Sequence, residues 1–325
     1  MDIVNIIGED FKGSAMLLDS FVKADSVINN PKYKTILCSV SGGADSDVML
    51  DLCYKVDINK KITYIWFDTG LEYQATKNHL KELEKKYNIE IKTYRPKKPI
   101  PTACKELGQP FISKYASEMI SRLQKYNFKF EDEPFDVLYE RYPQCRSALR
   151  WFTNNNPTGL NIEQNKYLRE FLIANPPAFK ISSLCCYHAK KSVSKKAVKE
   201  FKADLMIMGV RKYEGGIRGI AYKSCFDSKE GTADRYRPLY WYTNEDKAEY
   251  EQMYGITNSE CYRSYGLSRT GCAGCPFGRN YKFELEVIKQ YEPRLYTAVC
   301  NIFKDSYEYT EKYRKFRAEM EQRDK

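Results

Sequence analysis

The stretch CSVSGGADSDVML, residues 38–50, places two glycines, three serines and two aspartates between apolar runs. Glycine adopts the positive-φ conformations that let neighbouring backbone N–H groups converge on an anion, and a following helix adds the positive end of its dipole. A strand is predicted at Lys34–Val40 and a helix at Asp47–Lys55. The GxxxxGK[ST] spacing of P-loop kinases and GTPases is missing. The residue spacing alone does not distinguish a polar turn from a phosphate-binding loop.

Strands and helices alternate on either side of this loop. Buried strands are predicted at Ile62–Phe67, Ile89–Tyr94 and Leu205–Val210, and charged helices at Tyr73–Tyr87 and Ser192–Lys202. This alternation is typical of a parallel sheet with helices on both faces. The chain is therefore predicted to be an α/β protein.

The amino-acid composition or the predicted secondary structure changes at three places along the chain, and these changes suggest a domain organisation. The proline- and lysine-rich RPKKPIP, residues 95–101, opens a long aromatic and charged stretch, and Thr243 is a predicted N-cap. Residues 283–323 are predicted to be helical with a solvated, charged outer face. We predict an N-terminal helical segment at 1–33, a main domain at 34–240 with a mostly helical insertion at about 96–178, and a cysteine-rich helical region at 241–325.

The net charge, the lengths of the apolar runs and the cysteine content restrict the classes of function that the chain can have. The formal net charge of +10 attracts anions such as nucleotides, sulfate or nucleic acid. No apolar run approaches the roughly 20 residues that cross a bilayer, and MDIVNIIGEDFKGS carries acids where a secretory signal carries bases. We expect a soluble, cytoplasmic protein without a membrane partner, whose eleven cysteines are reduced and act as core residues, metal ligands or redox groups.

Several motifs together resemble one known family. SGGADS, residues 41–46, resembles the SGGxDS pyrophosphate-binding loop of the ATP pyrophosphatase (adenine nucleotide alpha hydrolase) superfamily. DTG and EY within residues 68–73 resemble the DTGxEY segment of the phosphoadenosine phosphosulfate (PAPS) reductase family in that superfamily. GVR at 209–211 with Arg218 resembles its GxR…R anion-binding segment, and RPLYWYT…YGLSRTGCAGCPFG its closing region. The resemblance spans about residues 34–280 and implies a Rossmann-like (HUP-type) fold.

The resemblance also implies a role for each matched residue. The catalytic set would be Asp45, which helps to place Mg²⁺, together with Arg211 and Arg218, which neutralise an anionic substrate near the α-phosphate of ATP. For both arginines a solvated surface position is the alternative. The residues that would bind the nucleotide, with its pyrophosphate leaving group on the loop, are Ser39, Ser41, Gly42, Gly43, Asp45, Ser46, Asp68, Thr69, Gly70 and Gly209.

Two cysteine pairs have the spacing of a metal site. In Cys272-Ala273-Gly274-Cys275 a glycine-containing turn lets two thiolates face one centre, and Cys185-Cys186 offers two further sulfurs. The spacing alone does not choose between a zinc site, an iron–sulfur cluster and a set of buried free cysteines. The arrangement CC…CxxC resembles the ligand set of adenylyl-sulfate (APS) reductases, which implies a 4Fe-4S cluster on these four cysteines, with zinc as the alternative.

Several cysteines outside these two pairs, and both histidines, also have predicted positions or roles. Cys225 and Cys261 lie near the matched motifs, and either is a candidate to replace a ligand or to carry sulfur as a persulfide. His79 is predicted on a helix surface, and His188 is a ligand candidate because it follows the cysteine pair. The predicted core fillers are Cys38, Cys53 and Cys300.

The chain departs from the sulfate reductases in two respects. Those enzymes attack sulfate with a cysteine of an ECGxH-type segment, whereas no ECG occurs here. The complete SGGxDS loop resembles instead the members that split ATP. We therefore predict an enzyme that binds ATP with Mg²⁺, adenylates a substrate and releases pyrophosphate, with iron–sulfur-assisted sulfur transfer to follow. The alternatives are a reductase that forms sulfite from an adenylyl sulfate with a thioredoxin-like reductant, and a non-catalytic nucleotide-binding module of a larger assembly.

The resemblance extends to possible partners. tRNA thiolation and DNA phosphorothioation enzymes resemble this chain in combining such a loop with cysteine-bound metal, so tRNA or DNA is a candidate substrate and a sulfur donor an expected partner. Aromatic side chains of the insertion could stack on bases or could form the core of a helical subdomain. They are Tyr115, Tyr126, Phe128, Phe130, Tyr139, Tyr142, Trp151 and Phe152.

Overall fold

A computed structural model of the chain describes residues 8, 11–157, 159–214, 222–278 and 280–324. The chain divides into two compact units. The first comprises Met1–Pro96 and Lys190–Gly271, and the second comprises Lys97–Ala189 and Cys272–Lys325. The domain boundaries proposed from the sequence at residues 33/34 and 240/241 remain predictions.

The first unit is built on one sheet, which carries six strands within the described residues in the order β3-β2-β1-β4-β6-β5. All neighbouring strands are parallel except β5 and β6, which pair antiparallel. The strands are β1 (Ile36–Ser39), β2 (Ile62–Phe67), β3 (Ile91–Tyr94), β4 (Leu205–Met208), β5 (Phe226–Asp227) and β6 (Asp234–Tyr236).

The central strands are apolar on both faces because helices cover both sides of the sheet. In β1, Ile36 and Cys38 enter one buried cluster, whereas Leu37 enters another cluster with Ile65 and Met206. Successive side chains of a strand point to opposite faces, so a short continuous apolar run fills two cores. The predicted α/β class with a parallel sheet is confirmed.

The described helices are, in chain order, α1 (Ala15–Ile28), α2 (Ala44–Val56), α3 (Gln74–Tyr87), α4 (Ile100–Leu107), α5 (Lys114–Lys125), α6 (Phe135–Arg141), α7 (Arg146–Phe152), α8 (Leu168–Ala174), α9 (Leu184–Cys186), α10 (Ser192–Glu200), α11 (Asn244–Tyr254), α12 (Glu260–Arg263), α13 (Tyr281–Tyr291), α14 (Pro293–Ile302) and α15 (Lys304–Arg323). A π-helical turn at Tyr187–Lys191 joins α9 to α10. Thr243 caps α11 as predicted, in a capping box with Asp246. No helix within the described ranges combines the length and apolar character that a bilayer crossing needs.

The second unit is helical and has an aromatic core. Phe128, Phe130, Trp151 and Phe152 are buried there, so these four rings form the core and offer no face to a nucleic-acid base. Residues 283–323 are helical, as predicted, and α15 has exposed charged side chains such as Lys312 and Lys315. One side of that helix packs into the same core, because Tyr309 lies buried against other aromatic rings.

Candidate phosphate-binding site

The glycine-rich loop lies where the order of the sheet reverses. From β1 the chain passes through the loop into α2, and β1 pairs with β2 on one side and β4 on the other. In open α/β sheets, ligands bind at this switch point, outside the carboxyl ends of the strands. A Cβ atom added to Gly209, just after β4, would lie 3.3 Å from the carbonyl oxygen of Asp45 and 3.4 Å from Cα of Ser46. The segment after β4 therefore packs directly against the loop.

The loop has the backbone conformation of a tight strand-to-helix turn. Gly42 has φ +66°, and a Cβ there would lie 3.0 Å from Cγ2 of Thr76. Gly43 is the N-cap of α2 and provides no side-chain acceptor for the first N–H groups of that helix. Ser46 Oγ accepts the N–H of Ser41 at 2.8 Å, which ties the two ends of the loop together. Ser41 is exposed, whereas Gly42, Gly43 and Ser46 are buried.

Two of the three charged residues predicted to be catalytic contact each other. Arg211 Nε donates to Asp45 Oδ1 at 2.9 Å, and Arg211 Nη1 donates to Thr243 O and Asn244 Oδ1 at 3.1 Å. Arg211 is only 7% exposed, so the solvated-surface alternative is wrong for it. Lys247 Nζ lies 3.8 Å from the same carboxylate oxygen. These contacts leave Asp45 Oδ2 for a metal ion, and that oxygen is a suitable ligand for Mg²⁺. Arg218 lies outside the described residues.

The Asp68-Thr69-Gly70 turn follows β2 at the same carboxyl edge of the sheet. Asp68 Oδ1 accepts the N–H of Gly70 at 3.0 Å, and Asp68 Oδ2 accepts from Arg95 Nε at 3.2 Å. Thr69 Oγ1 donates to Glu72 Oε1 at 2.6 Å. Burial raises the pKa of Glu72. Asp68 therefore has one backbone donor and one exposed arginine as partners.

A groove of about 530 Å³ adjoins this turn. Trp66 and Thr93 from β2 and β3 line one wall, and Lys77 and Lys81 from α3 line the other. Asp68, Glu84 and Arg95 are also among the lining residues. The lining of the groove therefore mixes acidic and basic side chains.

His79 is buried under the loop, so the prediction that it lies on a helix surface is wrong. Its Nε2 lies 2.7 Å from Asp47 Oδ2 in the first turn of α2, and both side chains are at least 96% buried. Burial raises the pKa of Asp47. Burial lowers the pKa of His79, but the hydrogen bonds and charges of Asp47 and Glu82 together outweigh that effect and raise the pKa. The pair fixes α3 against the start of α2.

The second unit brings the predicted cysteines together. The thiol of Cys185 lies close enough to Cys104, Cys186 and Cys275 for them to shift its pKa, and Cys272 and Cys186 likewise shift the pKa of Cys275. The hydrogen bond with Cys104, together with burial, holds the pKa of Cys185 well above its ordinary value. Burial and the neighbouring Cys272 raise the pKa of Cys275 to about 12. Cys104 was not predicted as part of this group.

The turn inside the CxxC segment depends on glycine. Gly274 has φ +62°, and a Cβ there would lie 2.8 Å from the hydroxyl of Tyr307. That hydroxyl donates to the carbonyl oxygen of Gly274. No larger residue fits this turn without displacing Tyr307.

The thiol group agrees with a cysteine-ligated centre in its donor chemistry. Four sulfurs around a single zinc ion at 2.3 Å lie about 3.8 Å from one another. Among the described residues, no group of three or more Cys, His, Asp or Glu side chains is arranged to hold a single metal ion. An iron–sulfur cluster separates its ligands more widely and is bound by the same thiolates. Both cofactors stay predictions at these residues.

The other cysteines are distributed between core and surface. Cys38 and Cys53 are fully buried in the core, as predicted, whereas Cys300 is only half-buried. Cys261 is fully buried, and its sulfur lies 3.6 Å from Thr76 Oγ1. As it stands, Cys261 has no access to solvent for carrying a persulfide. Cys225 is half-buried.

The fold and the loop define an α/β protein of the Rossmann-like type with a glycine-rich loop at the switch point. The profile of the phosphoadenosine phosphosulfate reductase domain matches residues 35–277. The chain belongs to this family.

The chain is also similar to individual proteins outside this family match. An uncharacterized protein of Methanocaldococcus jannaschii, MJ0066, is 29% identical over 144 residues, which make up 44% of this chain and 28% of that relative. The phosphoadenylyl-sulfate (PAPS) reductase from Candida auris, as a phosphate complex, has a TM-score of 0.43 at 12% identity, covering 83% of this chain and 93% of the other. The U34-tRNA thiolase NcsA from Methanococcus maripaludis with its [4Fe-4S] cluster has a TM-score of 0.39 at 14% identity, covering 94% and 79%.

Proposed function

We propose that the protein is an ATP-dependent enzyme that transfers the adenylyl group of ATP to a substrate oxygen and releases pyrophosphate. The observation that carries the proposal is the complete SGGADS loop at the switch point, packed against Gly209. In this reaction the acceptor oxygen bonds to the α-phosphorus. The bond from that phosphorus to the oxygen shared with the β-phosphate breaks, and pyrophosphate leaves with the electron pair.

Different described residues would bind the pyrophosphate leaving group and neutralise charge at the reacting α-phosphate. Backbone N–H groups at the start of α2, with the helix dipole and the hydroxyl of Ser46, would bind the pyrophosphate. Arg211 would neutralise charge on the α-phosphate, and Asp45 would orient the Arg211 guanidinium through their 2.9 Å hydrogen bond. Magnesium, when bound through Asp45 Oδ2, adds charge neutralisation at the phosphate oxygens.

Sulfur transfer is the proposed second half of the reaction. The grouped thiols of Cys185, Cys186, Cys272 and Cys275 support it, because four mutually interacting cysteines suit a 4Fe-4S cluster. If three of these four thiolates held the cluster, the fourth iron would be open to sulfide from a sulfur donor. Displacement of AMP from the activated substrate by sulfide would complete the exchange of oxygen for sulfur. tRNA or DNA is the substrate class we propose, in line with the net charge of +10.

The family match favours a second candidate, sulfite formation from an adenylyl sulfate. That reaction needs an accessible thiol as nucleophile. Cys225 is half-buried and meets this requirement better than the fully buried Cys261. Sulfite formed with thioredoxin in the absence of ATP, and lost in Cys225→Ser, would establish this candidate in place of adenylyl transfer.

The test of the proposal is an analysis of nucleotide products. Anaerobically purified protein is incubated with Mg²⁺, labelled ATP and separate pools of RNA, DNA and small molecules. We expect pyrophosphate and an adenylylated product with one pool, no product with Asp45→Ala, and wild-type yield with Asp19→Ala, whose ion pair is exposed. ATP that stays intact with every pool, or ADP as the product, contradicts the proposal.

A further inference from the structure

Lys247 is a second cation at the Asp45 carboxylate, beside Arg211. Its Nζ lies 3.8 Å from Asp45 Oδ1, the same oxygen that Arg211 Nε contacts at 2.9 Å. The other acidic neighbour of Lys247 is Glu251, one turn further along α11, whose Oε1 lies 3.3 Å from Nζ. The Lys247 side chain is only 18% exposed, and all four residues belong to the first unit. Two cations and two carboxylates are therefore grouped beside the first turn of α2.

The stability of α11 does not explain why a lysine occupies this position. Lys247 is the fourth residue of the helix, near the positive end of the helix dipole, where a cation is disfavoured. It also stands N-terminal to Glu251, which is the less favourable order of an i,i+4 ion pair. Its distances of 3.3 and 3.8 Å to the two carboxylates exceed the roughly 2.7–2.9 Å of a charge-assisted hydrogen bond. An ammonium has three N–H donors, so these two loose contacts do not exhaust its capacity to bind an anion.

We propose that Lys247 binds the pyrophosphate moiety of the nucleotide, as a second cation beside Arg211. The inference rests on the proposed function, because it assumes that residues 41–46 bind phosphate. Asp45 keeps Arg211 as its partner at 2.9 Å, so the ammonium of Lys247 exchanges only its 3.8 Å contact for a phosphate oxygen. Lysine suits this role because it is a compact charge on a flexible stem. Its charge would stabilise the negative charge that develops on the departing pyrophosphate.

Substitutions of Lys247 and Glu251 are expected to change the affinity for pyrophosphate in opposite directions. Lys247→Met removes the charge but keeps an unbranched side chain, so we expect it to bind magnesium pyrophosphate about tenfold more weakly, whereas Lys247→Arg keeps the charge and most of the affinity. Glu251→Gln removes the negative charge beside Lys247, and its amide oxygen can still accept from Asn258 Nδ2, at 3.0 Å in the wild type. We expect this variant to bind about threefold more tightly. A purely structural ion pair predicts weaker binding in both variants.

The experiment is calorimetric titration of magnesium pyrophosphate into wild type, these three variants and the matched control Lys55→Met. Lys55 also pairs with an acid four residues away, Asp51, and its side chain is 26% exposed, but it lies in the last turn of α2, about 15 Å along the helix from Asp45. We expect the control to bind like wild type. Equal binding by wild type and Lys247→Met, or equal weakening in Lys247→Met and Lys55→Met, overturns the inference alone. If Lys247→Met does not fold, weaker binding by Glu251→Gln overturns it. Absence of binding by every protein overturns the proposed function together with it.

Discussion

Asp45→Ala is expected to destabilise the first unit, quite apart from its effect on activity. The substitution leaves the guanidinium of Arg211, 7% exposed, without its carboxylate partner at 2.9 Å. Removing one member of a fully buried ion pair costs about 3–5 kcal/mol, whereas exposed pairs contribute about 0–1 kcal/mol. The Asp45 side chain is 19% exposed and Arg211 keeps its bonds to Thr243 and Asn244, so we expect a loss of about 2 kcal/mol.

The measurement is equilibrium urea unfolding of wild type, Asp45→Ala and Asp19→Ala. Asp19 forms a shorter ion pair with Lys23, at 2.6 Å, but both side chains are about half exposed, at 48% and 51%. Burial rather than distance should decide the cost, so Asp19→Ala is expected to change the free energy of unfolding by less than about 0.5 kcal/mol. Equal losses in the two variants, or a larger loss in Asp19→Ala, would refute this reasoning.

Two further predictions concern the buried histidine and the thiol group. The pKa of His79 is raised in the folded protein, so its pairing with Asp47 stabilises the fold below about pH 6.5, and this contribution is lost as pH rises through the raised pKa. The destabilisation by His79→Gln should therefore be larger at about pH 6 than at about pH 9, and a difference that grows with pH contradicts it. Anaerobically prepared protein should contain iron and absorb at about 400 nm. The iron content and this absorbance should both fall in Cys272→Ser and stay at the wild-type level in Cys225→Ser. A colourless wild type with stoichiometric zinc would rule out the cluster.

The sheet was predictable where strands are continuous apolar runs. β2 has the predicted bounds, because ITYIWF is flanked by lysines on one side and by Asp68 on the other. β6, at Asp234–Tyr236, gives no such signal, since Asp234 and Arg235 are polar and the strand exists through its pairing with β4. Short polar strands of this kind depend on tertiary contacts that a sequence window does not contain.

The site was predictable in its motifs but not in its supporting contacts. His79 could have been placed correctly, because Thr76, His79, Leu80 and Leu83 recur at helical spacing on the buried side of α3. Cys104 stands in no motif, and only the packing of α4 against α9 brings it to Cys185. Tyr262, whose hydroxyl would lie 3.2 Å from a Cβ added to Gly43, is likewise remote in the chain from the loop. Such contacts are set by the packing of distant segments, which local periodicity does not encode.

The central claim, that residues 41–46 bind the pyrophosphate moiety of ATP, is tested most directly by a pair of glycine substitutions. Gly42 and Gly231 both have positive φ, +66° and +75°, so alanine strains the backbone at both positions, and at Gly42 it also approaches Thr76 Cγ2 to 3.0 Å. Only Gly42 lies in the loop; Gly231 has no atom within 4 Å of an added Cβ. We predict that wild type and Gly231→Ala bind magnesium pyrophosphate saturably and that Gly42→Ala loses this binding. Equal binding by Gly42→Ala and Gly231→Ala would contradict the account.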